Sequence, residues 1–398
     1  MKHHALRTLI LLYAALAVGY LGLWVFSMDE GLLWRSDFTA FYSGWAIARD
    51  GQTDRLYDFD LQRSYEEQIL GGRRMADGLL PYVNPPHATL VFLPLARLPF
   101  VAAYRVWTAV ELGLLLAALW LLHDLARGWE PRERLLLLAA FLAFPPLLAA
   151  LVRQTFSLFG LVALLLLRRG LRSGRPGLAG AALALGSLKP QLVLLPGLAL
   201  LAARRWRALA AAALLCGGLA ALATAALGWR CWPDFLQALQ RLSGYFGVYG
   251  VAPGTMYNLR GTLALLLGAE RAGLVNALGS LGLALAAAAT LPCWRGPWRP
   301  DGPGFELRFG LTALLGLLSS PHLHAQDGLL FALPLALGYA AMREDPRAGR
   351  AFGAFALACP ALFLLGELLL GDRLGVRAPT LLMGGLAVWM ARRMVRKT

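Results

Sequence analysis

Apolar runs that repeatedly reach the roughly 17–25 residues needed to cross a bilayer fill most of this chain, separated by short basic loops. Backbone inside hydrocarbon must satisfy its own hydrogen bonds, and the period-two alternation of a spanning barrel is absent. The runs therefore have to be helices. Of 398 residues, 58% are hydrophobic and only 15% charged, far from the balance of a soluble domain. The expected fold class is an all-α integral membrane protein, one membrane domain over residues 1–398. Leu9–Phe26 follows Lys2 and Arg7 as a signal peptide would, but no convincing small-x-small cleavage site precedes Met28, so it is read as a retained first helix.

The net charge of +15 would suggest nucleic acid in a soluble protein, but here the basic residues cluster between apolar runs and topology explains them, so no nucleic-acid partner is expected. The clusters are Lys2/Arg7, Arg127/Arg132/Arg134, Arg168/Arg169/Arg172/Arg175, Arg204/Arg205/Arg207, Arg295/Arg299/Arg308, Arg343/Arg347/Arg350 and Arg392/Arg393/Arg396/Lys397. The positive-inside rule places them all in the cytoplasm. Threading helices between them gives spans near 8–27, 101–122, 134–151, 155–168, 176–188, 191–203, 208–228, 271–292, 307–320, 326–342, 351–370 and 378–391, about twelve transmembrane helices. The expected location is the plasma (inner) membrane, multi-pass, with both termini cytoplasmic. Residues 28–100 and 229–260 then become two extracytoplasmic loops. Within the first, Phe38–Ala48 and Leu61–Leu70 pattern as surface helices stopped by Gly51 and by Gly71–Gly72. Leu259–Leu267 is too short to span and reads as re-entrant or interfacial. Cys216, Cys231, Cys293 and Cys359 show no CxxC spacing and read as packing residues.

The first loop holds ten of the chain's 23 acids: Asp29, Glu30, Asp37, Asp50, Asp54, Asp58, Asp60, Glu66, Glu67 and Asp77. Asp37 directly follows the first helix region in Arg35-Ser36-Asp37-Phe38, which suits a general base held at the membrane surface; the competing role for Ser36 or Asp37 is capping the Phe38 helix. Arg153, Lys189 and Arg260 break the positive-inside pattern, since each falls at an outer helix end. With Gln154, His322 and His324 they would form a pocket for a phosphate headgroup, whereas singly each cation would merely snorkel or balance a loop carboxylate. Tyr42, Asn84, His87 and Asn258 complete the candidate contacts, although Tyr82–His87 reads first as a proline-stiffened turn. Asp58-Phe59-Asp60 has the spacing of a nucleotide-sugar metal motif but reads more simply as a turn, with Asp60 capping a helix.

The segment SDFTAFYSGWAIARDG…LYD, then YVNPPHATLVFLPLARLPF…W, resembles the DF-x-x-Y-Y…LYD and Y-P-P…PL-LP…W pattern of glycosyltransferase family 87, also described as a domain of unknown function. RQTFSLFGLVALLLLRRG is similar to its GQ-x-N segment, ALGSLKPQLVLLPGLALLAARRWRAL to its LK-x-x-P segment, and SSPHLHAQDGLLFALP to its SP…HH segment. The resemblance runs in order from Arg35 to Pro334. Arg153 stands where the family has Gly, Thr155-Phe156 interrupts GQ-x-N, and PHLH lacks the aromatic before HH. The resemblance implies a GT-C-like multispanning fold and α-mannosyltransferase chemistry with a polyprenyl-phosphate sugar donor. It also implies Asp37 as the base and Lys189, His322 and His324 near the lipid phosphate.

The expected function is thus an inverting hexosyl transfer, mannose first, from a polyprenyl-phosphate sugar to a lipid-linked or glycan acceptor outside the cytoplasm. Membrane lipids surround the site, and the scheme requires no metal and no cofactor. Rival readings are a polytopic lipid or glycan transporter or flippase, a membrane acyltransferase using His322 or His324, and an inactive homologue that only binds polyprenyl phosphate. Transporters place ionisable groups near the midplane and carry related halves, which this chain does not show.

Overall fold

A computed structural model describes residues 3–27, 36–72, 78–244, 253–295, 298–370 and 376–395. Lys2, Asp29, Glu30, Arg35, Asp77, Arg396 and Lys397, with residues 245–252 of the second loop, lie outside the described residues. Among the described residues the regular structure is all helical, with no strand. Each apolar run folds as a helix, and six are long and apolar enough to cross a membrane: His4–Phe26, Phe100–Leu125, Trp206–Leu227, Ala272–Cys293, Ala325–Met342 and Pro346–Gly366. Pro131–Leu142 and Pro145–Arg153 make a seventh if taken together across a 46° bend. The bend has a local cause, because Pro145 and Pro146 cannot continue the hydrogen-bond ladder of the preceding turn.

Pro303–Ser319 and Ala378–Val395 are helical over 17 and 18 residues, whereas the central threaded segments are shorter. Ser157–Arg172 has 16 residues, Pro176–Gly186 has 11 and Leu194–Ala202 has 9. Eleven residues rise only about 16 Å along a helix, roughly half a hydrocarbon core. Ser157–Arg172 is buried on nearly every side, so protein rather than lipid surrounds it. Its neighbour packs closely: a Cβ on Gly170 would stand 2.7 Å from the Ala179 backbone nitrogen, and one on Gly180 would stand 2.7 Å from that of Ala212.

The basic clusters are knitted together at one end. Glu133 accepts from Tyr339 Oη at 2.7 Å and faces Arg343, Asp124 pairs with Arg127 and Arg169, and Arg168 and Arg172 both pair with Glu306. Arg205 lies 4.5 Å from the Trp298 ring centroid.

The first loop folds into two helices, Asp37–Arg49 and Phe59–Ile69, and Gly51, Gly71 and Gly72 all take positive φ where these helices end; the first differs from the expected surface helix, because every residue from Phe38 to Ala48 is buried against protein. The capping residue differs from the sequence reading: Asp58, not Asp60, accepts the backbone N–H groups of Asp60 and Leu61, at 3.0 and 3.1 Å. Asp58 has extended backbone geometry, as an N-cap requires, while Asp60 lies inside the first turn and pairs with Arg63. Tyr65 Oη donates to Asp50, and Arg49 donates to Asp50 and the Ala96 carbonyl, tying both helices to the chain that leads into the Phe100 span.

An aromatic cluster fixes the Asp37 helix. Phe38 packs on Trp45, Phe100, Tyr104 and Trp107, and Phe41 lies 4.8 Å from Phe156, centroid to centroid. Rings of this size dominate a packing interface, so Asp37 sits on a rigid element. Leu259–Leu267 forms the short helix anticipated for that run.

Candidate active site

A cavity of about 1020 Å³ lies where the first-loop helices meet the ends of several apolar helices. Asp37 enters from the start of the Asp37–Arg49 helix, Asn84 from the proline turn, Arg153 from the end of the broken pair, and Lys189 from the turn after Pro176–Gly186. Arg260, His322 and His324 add to the polar lining, and Phe235, Leu239, Leu242 and Leu283 are among the apolar residues of the wall. The cavity thus offers both charged and apolar surface, which suits a ligand with a charged head and a hydrocarbon chain.

Asp37 is the first residue of its helix, and Ser36 in the cap position makes no side-chain cap bond. The carboxyl group is partly buried in the wall. Desolvation pushes its pKa up to about 6, opposed by the positive charges of Arg153 and Lys189, while Asp327 adds to the rise. A carboxylate so placed is ionised near neutrality and closer in proton affinity to a base than a free aspartate is.

The cations have different surroundings. Arg153 is exposed to the cavity and makes no hydrogen bond or ion pair with the described residues. Lys189 donates to Asp327, which also accepts from Ser157 Oγ at 2.7 Å. Arg260 is buried and spends its donors on Asn276 Oδ1 at 2.8 Å and on the Ser243 and Pro321 carbonyls at 2.9 and 3.3 Å. It braces four segments of the wall.

His322 and His324 pack edge to face with centroids 4.4 Å apart, and His324 Nδ1 lies 3.2 Å from Thr255 Oγ1. Burial, reinforced by His324 and the cations Lys189 and Arg260, holds His322 well below the usual imidazole value. Burial likewise lowers His324 to about 4, against the pull of Asp327. Both rings are therefore neutral near pH 7, offering N–H hydrogen bonds rather than charge.

The other candidates stand behind the wall. Gln154 is buried in left-handed geometry, donating to the Leu151 carbonyl at 2.8 Å and accepting from Thr108 Oγ1 at 3.3 Å. Tyr42 Oη donates to the Leu98 carbonyl at 2.7 Å. His87 Nε2 lies 3.0 Å from Ser187 Oγ, holding the proline turn against the Lys189 turn. Asn258 accepts from Gly261 N–H and donates to the Ser320 carbonyl, both at 2.8 Å, so it caps Leu259–Leu267 and anchors the histidine loop. These four act on the site through the backbone they hold.

Two acids escaped the sequence reading. Asp327 is fully buried behind Lys189, in a segment where an Asp after SSPHLHAQ looks like a cap. Glu111, inside the Phe100–Leu125 span, is also fully buried, and the Asp37 carboxylate acts on it. Its signal was available, since an acid in the middle of an apolar span marks a functional candidate.

A model of glycosyltransferase family 87 matches residues 82–321, a stretch that holds the proline turn, Arg153, Lys189, Arg260 and the first residues of the histidine loop. No curated protein and no solved structure matches the chain.

Proposed function

The chain belongs to glycosyltransferase family 87, and from that premise we propose that it moves a hexose, mannose first, from a polyprenyl-phosphate sugar to a hydroxyl of a lipid or glycan acceptor outside the cytoplasm. The acceptor hydroxyl gives its proton to the Asp37 carboxylate while its oxygen attacks the anomeric carbon from the face opposite the phosphate. The new glycosidic bond forms as the anomeric carbon–oxygen bond to phosphate breaks, and the leaving oxygen keeps the electron pair. The configuration inverts, and polyprenyl phosphate departs with one more negative charge.

The observation that carries this reading is the placement of Asp37 in one cavity with Arg153 and Lys189, whose charges act on it. Negative charge leaves Asp37 as it appears on the phosphate, so cations facing both groups stay paired through the step. Fixed charges that need no reorganisation stabilise such a transition state. The neutral His322 and His324 offer N–H donors to phosphate or sugar oxygens. The apolar side of the cavity, with Leu239 and Leu242, gives the polyprenyl chain a path toward the membrane.

The test is transfer by the purified protein in nanodiscs, offered radiolabelled polyprenyl-phosphate mannose, glucose or arabinose with a native lipid extract. Wild type moves label into a glycolipid, and the donor consumed names the sugar. Asp37→Asn abolishes transfer while leaving the affinity for polyprenyl phosphate within a fewfold of wild type. Donor bound but never consumed by wild type would replace this reading with that of a binding homologue.

A further inference from the structure

Asp327 receives three donors: the Lys189 ammonium, Ser157 Oγ at 2.7 Å and the His324 backbone N–H at 3.3 Å. Three donations received and none given are the pattern of an ionised carboxylate. Its side chain is 1% exposed, while that of Lys189 keeps 15%, so Lys189 is countered from behind the wall that it lines. Arg153 has no such partner among the described residues. With both histidines neutral, Asp37 and Asp327 offset two of the three cations Arg153, Lys189 and Arg260, and Arg260 is already held by Asn276 and two backbone carbonyls.

Resting on the reading that this cavity takes a phosphate, we propose that Asp327 is a positioning residue which fixes the Lys189 ammonium at the wall and offsets its charge. The offset limits how tightly the phosphate product is held. A phosphodiester donor enters with one negative charge and leaves as a monoester with about two at neutral pH. Two uncompensated cations would hold the product more tightly than the donor and slow turnover. With Asp327 in place, Lys189 shares its hydrogen-bonding capacity between carboxylate and phosphate, and the product leaves.

The test is binding of farnesyl phosphate, a short isoprenyl monophosphate, to the full-length protein in nanodiscs, with donor kinetics alongside. Asp327→Asn keeps the shape and removes the charge. It tightens farnesyl phosphate about tenfold, the order expected for one charge acting across roughly 10 Å of protein, and strengthens product inhibition while lowering kcat. Lys189→Gln leaves Asp327 unpaired and weakens the probe by a similar factor. The double variant, uncharged at both positions, returns to within about threefold of wild type, which also shows that the site still folds. A purely structural Asp327 would instead give weaker binding in Asp327→Asn and no recovery in the double variant; that result, or unchanged affinity in Asp327→Asn, overturns the proposal and leaves the transferase reading intact. Failure of wild type to bind the probe at all overturns both.

Discussion

Asp37 is ionised at neutral pH but sits where losing that charge is easy, so the chemistry should follow its protonation. Its pKa of about 6 places the change inside a measurable range. A base works only in its unprotonated form, so kcat/KM falls as pH drops through about 6, approaching a tenfold loss per pH unit below it. Both histidines stay neutral over the upper part of that range and add no second limb there. A pH–rate profile from 5 to 8 checks this, and a flat profile across 6 would remove Asp37 from the role of base. That Arg153 and Lys189 stand apart from the basic clusters was legible in the sequence, because each breaks the alternation of basic loops with apolar runs; that they line one cavity with Asp37 is set by the fold. Asp327 was not legible, because its partner Lys189 lies 138 residues away and only the fold brings them together. Glu111 was legible in principle, as a lone acid between apolar turns, but nothing local ties it to Asp37.

At the scale of elements, the site depends on how the Asp37 helix and the proline turn meet. Gly44 faces the ring of Tyr82, and a Cβ there would stand 2.5 Å from two ring carbons. That ring cannot retreat easily, since Tyr82 is fully buried, donates or accepts at Thr89 Oγ1 at 2.7 Å, and has its backbone held by Gln62. Gly44→Ala adds only one methyl group but overpacks this contact, at a cost of about 1–3 kcal/mol. The expected result is a lower unfolding midpoint in detergent together with weaker transfer, because the displaced turn carries Asn84 into the cavity wall. Gly51→Ala is a useful contrast, since nothing lies within 4 Å of its Cβ position and only its positive φ is strained. Both first-loop helices were legible from their patterning and their glycine stops, but the burial of Phe38–Ala48 was not, because its aromatic partners Phe100, Tyr104, Trp107 and Phe156 come from other elements. The Asp58 cap was not distinguished from Asp60, because two aspartates two residues apart give the same signal until backbone geometry separates them.

For the whole molecule, the decisive arrangement is that charge is sorted by end. Basic clusters far apart in sequence meet through Glu133, Asp124 and Glu306, whereas Asp37, Arg153, Lys189, His322 and His324 surround one cavity formed by different turns. The sequence made this sorting legible through the alternation of basic loops with apolar runs. The number of crossings was less legible, because central segments such as Ser157–Arg172 and Pro176–Gly186 are enclosed by protein and need not match the bilayer thickness in length. Sidedness can be measured directly. In a variant with its four native cysteines replaced, Asp54→Cys on the first loop should react with a membrane-impermeant maleimide in right-side-out vesicles, while Glu344→Cys in the basic loop should react only after permeabilisation. Both positions are exposed, so failure to label reports the membrane and not burial. This outcome places the cavity on the side where sugars arrive on a polyprenyl carrier. The opposite pattern would open it to the cytoplasm, where nucleotide sugars are the accessible donors, and the leaving group facing Arg153 and Lys189 would then be a nucleotide phosphate.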